Sequence, residues 1–573
     1  ADVFDEGSTL AAYAYPADDE ALENALVGAD FTAVEIPDGE GDPESYLEEL
    51  RHRRQKLGSR LSTVENELEE LKLDVAGFLL AAEEQLSIEV RKREAPLTFA
   101  TTQNAFVAEG WLPSDEVEQF ESALRDRVGD HVAIDELERA EYDEEGIPEE
   151  REQVSEGGND EAVATDGGIA AFGGGEPPIV QDNPGPAKPF EVLVEAFGLP
   201  SYDELDPTVI LLLTFPLFFG FMIGDVGYGL TYMAIGAAIA WKLESPALRS
   251  LGGVAIWAGA FTVVFGFLFG EIFGTHQISS LFWEGIVGMD GAPIHKGMMP
   301  AYSEYASLWF VVSILLGILH LTIGYAFGFL NDLSHGLKTA ILEDGSWLLM
   351  LFGIWAAIFS KAAPDLRPTF LYEIFAREDM LIPGTDQAVE AVVIPLGFNG
   401  LPAVFGTIGL GMFVLGLVML AVAEPVEIVE SLEVLVHALS YVRLLAVILA
   451  KVVMAFVVNL LFFGVYVVET GHGAEWHFGI NHSPQHMLEQ GTYHGHEVTE
   501  VMFSGLMHSG IAGVVGGLLV LVLGHILVLV LGVTSAGLQG VRLEYVEFFG
   551  KFFEGGGKQY NPFGYERNYT TEE

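Results

Sequence analysis

Arg443 stands near the middle of Ala423–Val468, a long apolar stretch with helical periodicity. A guanidinium keeps its proton in any protein environment. At bilayer depth it costs at least about 2.5–3.5 kcal/mol. Such a charge is retained where it has a partner, a water-filled cavity or a task. Lys451 follows eight residues later; on a helix the two lie about 80° apart and ~12 Å along the axis, so they could line one polar strip. Glu424, Glu427, Glu430 and Glu433 gather where this stretch begins. They suit either a solvated helix start favoured by the dipole or an entrance for cations. His320 lies alone among apolar residues, which fits a hydrogen-bonded core histidine or a proton carrier. Asp225, between glycines at a junction of two apolar runs, reads as a helix cap or as the wall of a water path. Gln539 and Arg542, three residues apart, share a helix face; at a membrane surface Arg542 would snorkel.

Composition excludes several classes of function. The chain has 573 residues and a formal net charge of −55, with half of its residues hydrophobic. That acidity is incompatible with the basic footprint of a nucleic-acid binder, and it suggests a salt-loving organism whose carboxylates keep the surface hydrated. No cysteine is present, which excludes disulfides and thiolate metal sites. The histidine-rich stretch 470–497 matches no tight metal motif and reads as a solvated outer loop. Gly555–Lys558 is not a P-loop, because Gln559 stands where Ser or Thr is required and a helix precedes it. No cofactor, metal or nucleotide site is expected.

These residues must be positioned by membrane helices. From Pro207 onward, eight stretches approach the ~20 apolar residues that cross a bilayer: about 207–222, 225–242, 251–274, 305–330, 345–362, 400–422, 430–468 and 502–536. An even count puts both termini on one side. Lys242, Arg249, Lys338, Lys551, Lys558 and Arg567 fall on that side too, which makes it the cytoplasm; Lys361, Arg367 and Arg377 fall opposite. Ahead of the spans, residues 1–43 read as a small α/β piece in which AAYAYP and FTAVEIP are strands and DEALENAL a helix. Leu47, Leu50, Leu57, Leu61, Val64, Leu68, Leu71, Val75 and Phe78 then form a heptad seam along a helix over about 44–93. A second helix is expected after Ser114 or Asp115 as N-cap. Residues 141–188, acidic and rich in Gly and Pro, read as a disordered insertion. The expected fold is an α-helical membrane protein with eight transmembrane helices and an N-terminal cytoplasmic α/β and coiled-coil arm. The arm is 1–206, the membrane domain 207–550 and a cytoplasmic tail 551–573.

Three motifs in this order carry a resemblance: FPLFFGFMIGDVGYGL from Phe215, SYVRLLAVILA from Ser440, and LQGVRLEYVEFFGKFFEGGGKQYNPF ending at Phe563, with FVAEGWLP from Phe106 beside them. Together they resemble the membrane stator subunit, called I or a, of archaeal-type and vacuolar-type rotary ATPases, over roughly residues 44–565. The resemblance implies a non-catalytic subunit of a proton-translocating ATP synthase, in the cell membrane with cytoplasmic termini. The implied partners are a proteolipid ring, peripheral-stalk subunits, a central-stalk rotor-cap subunit and the bilayer. Arg443 matches the family's essential arginine, Arg542 the second arginine, Gln539 their polar neighbour and Glu430 the acid upstream. His320 and Asp225 resemble the polar lining of the ion path. Lys451 stands where vacuolar relatives often carry histidine, and Gly532 lies near the place of a glutamate they carry. The family pattern also has an N-terminal lobe and a first coiled-coil strand ahead of the region matching Ala1, so the arm is expected to be truncated and its seam unpaired. The partner implied for Arg443 is a carboxylate on the ring, which accounts for an arginine with no evident counter-ion in its own chain.

Two other readings use the same residues. A polytopic secondary transporter with an acidic cytoplasmic domain requires inverted repeats with broken helices, and none is evident. A passive membrane anchor leaves Arg443 without a purpose.

Overall fold

The computed structural model describes residues 2–6, 9–13, 19–26, 42–97, 99–101, 105–136, 138–139, 152–153, 177–202, 204–297, 303–333, 336–363, 367–377, 379–383, 388, 393–470, 473–562, 564 and 567–571. It divides into two compact units, Ala1–Glu109 with Phe563–Glu573, and Gly110–Pro562.

The first unit opens with the antiparallel hairpin β1 (Asp2–Glu6) and β2 (Thr9–Tyr13), followed by α1 (Asp19–Leu26). The expected strand FTAVEIP lies outside the described residues. α2 (Pro43–Glu94) is one helix of 52 residues, started by Asp42, whose carboxylate accepts from Ser45 N, and by proline in its first turn. The heptad leucines Leu47 to Leu71 and Phe78 are 43–71% exposed. Glu84 and Ile88, one turn apart, are buried. A short hairpin of β3 (Ala100–Thr101) and β4 (Phe106–Val107) follows.

In the second unit α3 (Val117–Val128) starts after a turn of 3₁₀ helix at Ser114–Glu116 and has no side-chain cap; neither Ser114 nor Asp115 serves in the expected way. β5 (Glu138–Arg139) pairs with β6 (Glu152–Gln153). Most of the acidic stretch 141–188 lies outside the described residues. At its end Ile179 bridges Gln559, and Asn183 donates to Glu191 and Asp206. These bonds fix the residues ahead of α4 (Glu191–Phe197).

The rest is a bundle of apolar helices: α5 (Thr208–Ile223), α6 (Val226–Lys242), α7 (Pro246–Phe269), α8 (Ser303–Leu333), α9 (Leu337–Leu342), α10 (Asp344–Ile358), the short α11 (Phe370–Glu373), α12 (Ala403–Ala423), α13 (Glu433–Ser440) and α14 (Val442–Phe463). Among the described residues six helical stretches are long and apolar enough to cross a membrane; α5 is apolar but shorter. One core runs through α5, α8, α14 and the end of the chain, built on Phe215, Phe218, Tyr325, Tyr441, Leu444 and Phe548.

Two boundaries differ from expectation. The seventh apolar run leaves the helix at Gly464, where φ of 78° turns the chain, and continues as β7 (Val465–Thr470). The histidine-rich stretch is not an irregular loop. β8 (Gly473–Phe478), α15 (Pro484–Gln490), β9 (Thr492–Tyr493) and β10 (His496–Phe503) fold with β7 into a sheet of order β8-β7-β10-β9. Tyr466, Val468 and Val498 bury one face with Met487, and Val465 and Val467 are buried on the other, the continuous apolar run of a strand covered on both sides. The last helix, α16 (Gly510–Arg542), begins later than expected and carries Arg542 in its final turn, before a π-helical turn at Leu543–Phe548.

Candidate functional site

Arg443 sits in the first turn of α14, just after the chain breaks at Ser440–Tyr441. The break frees the Ser440 carbonyl, which accepts from Arg443 Nε at 2.7 Å. Tyr441 is fully buried and packs onto Gly317 of α8, where a Cβ would stand 2.6 Å from the tyrosine ring; only glycine admits the approach. Arg443 Nη1 donates to Gln539 Oε1 at 3.4 Å, and Nη2 to Glu547 Oε1 at 3.1 Å. The Arg443 side chain remains 17% exposed while that of Glu547 is 2% exposed. Arg542 is exposed on the same helix as Gln539, close enough to act electrostatically on both Arg443 and Glu547.

The π-helical turn carries Glu544 and Glu547 inward together, three residues apart. Glu544 lies 3.5 Å from His320 Nε2. His320 Nδ1 shares a hydrogen bond of 2.6 Å with the Tyr441 hydroxyl, and the imidazole stacks on Phe548 at 4.2 Å. Neither Glu544 oxygen, nor His320 Nε2, nor Glu547 Oε2 has a hydrogen-bond partner among the described residues. A buried carboxylate without a hydrogen bond is costly. His320 and Glu544 are placed so that one proton shared between them would relieve that cost.

A second cluster lies further along α14. Asp225 begins α6 and accepts from Tyr228 N at 3.1 Å, Phe273 N at 2.9 Å and Gly274 N at 2.8 Å. The turn before it needs the left-handed conformation that Gly224 supplies, with φ of 42°. Lys451 Nζ stands 3.3 Å from Asp225 Oδ2 and 3.3 Å from Glu271 Oε2. Lys296 Nζ stands 2.9 Å from the same Glu271 oxygen, and also approaches the Gly224 carbonyl at 3.4 Å. All four charged side chains are at most 5% exposed. Beside them lies a cavity of about 30 Å³ lined by Glu271, His276, His295, Lys296, Lys451, Phe456 and Phe478; that is room for about one water. Tyr228 hydrogen-bonds His525 Nδ1 at 2.6 Å, and His525 Nε2 lies 3.2 Å from Asn459 Oδ1.

The expected site residues thus fall into separate groups. Arg443, Gln539 and Arg542 come together. His320 joins the same end of α14 through Tyr441 and Glu544. Lys451 and Asp225 meet in the second cluster, so Arg443 and Lys451 do not share a strip: each is committed to different carboxylates. Glu430 ends an exposed 3₁₀ turn, Glu427–Glu430, and with Glu427 and Glu433 it acts electrostatically on Lys551. The expectation of an arginine without a counter-ion is corrected, because Glu547 of the same chain pairs with it. Sequence reasoning missed Glu544 and Glu547, although two acids at helical spacing among aromatics in LEYVEFF were visible. It also missed Glu271 and Lys296. Both stand off the helices, where periodicity gives no signal.

The model of the V-type ATPase 116kDa subunit family matches residues 32–277. A-type ATP synthase subunit I of Halobacterium salinarum is 47% identical over the whole of this chain, which covers 77% of that relative. The subunit I of Archaeoglobus fulgidus is 29% identical over 86% of this chain and 64% of its own length. The vacuolar proton translocating ATPase 100 kDa subunit of Dictyostelium discoideum is 24% identical over 44% of this chain and 31% of its own length. With this likeness end to end, and with membrane-length helices converging on buried ionic clusters, the chain belongs to the V-type ATPase 116kDa subunit family, among the A-type ATP synthase subunit I proteins.

Proposed function

We propose that this chain is the membrane stator subunit of a rotary A-type ATP synthase, crossing the bilayer eight times with both termini in the cytoplasm. It binds peripheral-stalk and central-stalk partners through its arm and a ring of proteolipids through its membrane face. Arg443 acts on the ring's carboxylates, and two half-channels offset on either side of it carry ions to and from the ring.

The observation that carries this reading is the charge balance around Arg443: it pairs with one carboxylate, Glu547, while Arg542 stands near enough to act electrostatically on both, and neither arginine is fully buried. A cation left half-open in an apolar helix fits a carboxylate arriving from outside the chain. Beyond Arg443, the exposed side of α14 carries Ala446, Ala450, Val453 and Val457, small enough for a moving helix to pass. A ring carboxylate is neutral while it faces lipid. Beside a fixed guanidinium its charged form is favoured and it releases its proton. The same permanent charge repels protons, so they cannot leak between the half-channels. Each charge crossing 100 mV supplies about 2.3 kcal/mol, so several are needed per ATP.

The cavity beside Lys451, Asp225 and Glu271 suits one half-channel, with His276 and His295 on its wall. Glu430, with Glu427 and Glu433, suits the cytoplasmic mouth of the other, and His320 with Glu544 its interior. The test is Arg443→Ala in the assembled complex in sealed vesicles. ATP-driven proton uptake is expected to vanish while the complex stays assembled; uptake at the wild-type rate rules the stator reading out.

A further inference from the structure

Within that stator reading, we propose that Glu547 is a latch for Arg443: it holds the guanidinium between encounters, competes with the ring carboxylate for it, and thereby lets the ring carboxylate leave. Arg443 is gripped at three nitrogens inside its own chain, by the Ser440 carbonyl, Gln539 and Glu547. A guanidinium has five N–H donors in a planar fork, so donors remain for a visiting carboxylate. Ser440 and Gln539 are neutral, so Glu547 is the one acid among these three partners and offsets the positive charge that Arg443, with Arg542 beside it, presents to the ring.

The reason to expect competition is energetic. A bidentate pair of arginine and carboxylate in a low-dielectric setting is strong, and an arginine with nothing else to bind would trap the ring. Glu547 has one oxygen on Arg443 and its other oxygen without a hydrogen-bond partner among the described residues. When the guanidinium turns to the ring, Glu547 stays buried and needs another cation. Arg542 is placed to supply it, acting on Glu547 and Arg443 alike. The exchange of guanidiniums moves no proton: two arginines serve two carboxylates, one internal and one on the ring, and the ring carboxylate then takes up its proton from a half-channel as it leaves for the lipid. Tyr441 and Arg542 face Arg443; Arg443, Arg542, Tyr441, Lys551 and the Ser440 hydroxyl face Glu547; and His320, Tyr441, Tyr545 and the Thr214 hydroxyl face Glu544. Glu547 is therefore a positioning residue, acting through Arg443.

The experiment is the pH profile of ATP-driven proton uptake by the assembled complex in vesicles, with Glu547→Gln. Without the latch the field of Arg443 on the ring carboxylate rises. The profile is expected to move about one pH unit to the acid side, and maximal turnover to fall severalfold because the ring leaves more slowly. Glu547→Asp keeps the charge and is expected to restore both. If Glu547→Gln does not assemble, Arg542→Gln carries the test with the opposite sign, since less positive charge moves the profile to the alkaline side. A profile unchanged by Glu547→Gln, or by Arg542→Gln in its place, overturns the latch, as does a Glu547→Asp profile displaced as far as that of Glu547→Gln. Arg443→Ala removes uptake at every pH, so failure of the latch is distinct from failure of the stator reading.

Discussion

The two ionic clusters along α14 hold similar chemistry to opposite ends. Around Lys451, two lysines meet two carboxylates and the formal charges cancel within the chain. No fully buried side-chain polar atom of Asp225, Glu271, Lys296 or Lys451 is left without a partner among the described residues, whereas around Arg443 and His320 four such atoms are. The first cluster is closed, and its ligands come from α6, α14 and the segment between α7 and α8. The second is open, with one guanidinium in excess and hydrogen-bonding capacity unspent. A buried ion pair gains little net stability over an apolar one, but breaking it is expensive. The closed cluster is therefore read as holding helices together beside a water site, and the open one as waiting for a partner.

Breaking the closed cluster should produce the largest loss. Lys451→Met leaves two buried carboxylates with one cation between them, and is expected to destabilise the protein by about 3–5 kcal/mol. Arg443→Met strands only one carboxylate, with Arg542 still beside it, and should cost much less. The measurement is the thermal half-life of each purified variant in detergent; equal losses would erase the distinction between the clusters. The double variant Lys451→Met with Asp225→Asn sharpens it. The amide oxygen still accepts from Tyr228 N and Phe273 N, Gly274 N loses its acceptor, and neither position carries an unpaired charge. Much of the loss should return, seen as a coupling between the two substitutions in a double-mutant cycle. Strict additivity would mean that Lys451 and Asp225 act independently.

In the open cluster, Tyr441→Phe removes a single hydroxyl and leaves the ring that packs on Gly317. His320 then loses its Nδ1 partner, at a cost of about 1 kcal/mol. The same thermal measurement checks it, and a loss as large as that of Lys451→Met would place the strength of the fold at the wrong end of α14.

How far the sequence disclosed these clusters follows from what each depends on. DEALENAL and the long heptad helix were legible because local periodicity decides them. Arg443 was legible as a charge among apolar residues, and Gln539 with Arg542 as one helix face; only the resemblance of the motifs put the three together. Asp225 was legible as a cap, not as a ligand of Lys451, since that contact joins residues 226 positions apart. Glu547 was hidden for the same reason, a contact across 104 positions. The ends of the seventh and eighth apolar runs were misplaced because valine-rich strands and helices look alike in hydropathy; Val465–Thr470 became a strand through its pairing with β8 and β10.

A third carboxylate, outside the membrane helices, separates the two forces that hold Asp225. Asp225 is bound by three backbone N–H groups and a lysine. Glu84 on α2 is bound by the backbone N–H groups of Asn568, Tyr569 and Thr570, each at 2.8–2.9 Å, and by the Thr570 hydroxyl, with no salt-bridged cation among the described residues. The Thr570 hydroxyl first, then those N–H groups, hold its carboxyl down to about 2, against the opposing effect of burial. Because the folded value lies below the ordinary 4.5, the clamp is at full strength above that pH and fades as pH falls toward 2. Hydrogen exchange of residues 567–571 should therefore stay slow at neutral pH and quicken relative to its intrinsic rate as pH falls below the ordinary carboxylate range. Glu84→Gln should quicken it at neutral pH with little change in the thermal half-life of the whole protein, the smallest effect of the series. If instead Glu84→Gln destabilises the protein as much as Lys451→Met, then N–H clamping alone suffices to anchor a carboxylate here, and the cation at Asp225 is not what makes the closed cluster strong.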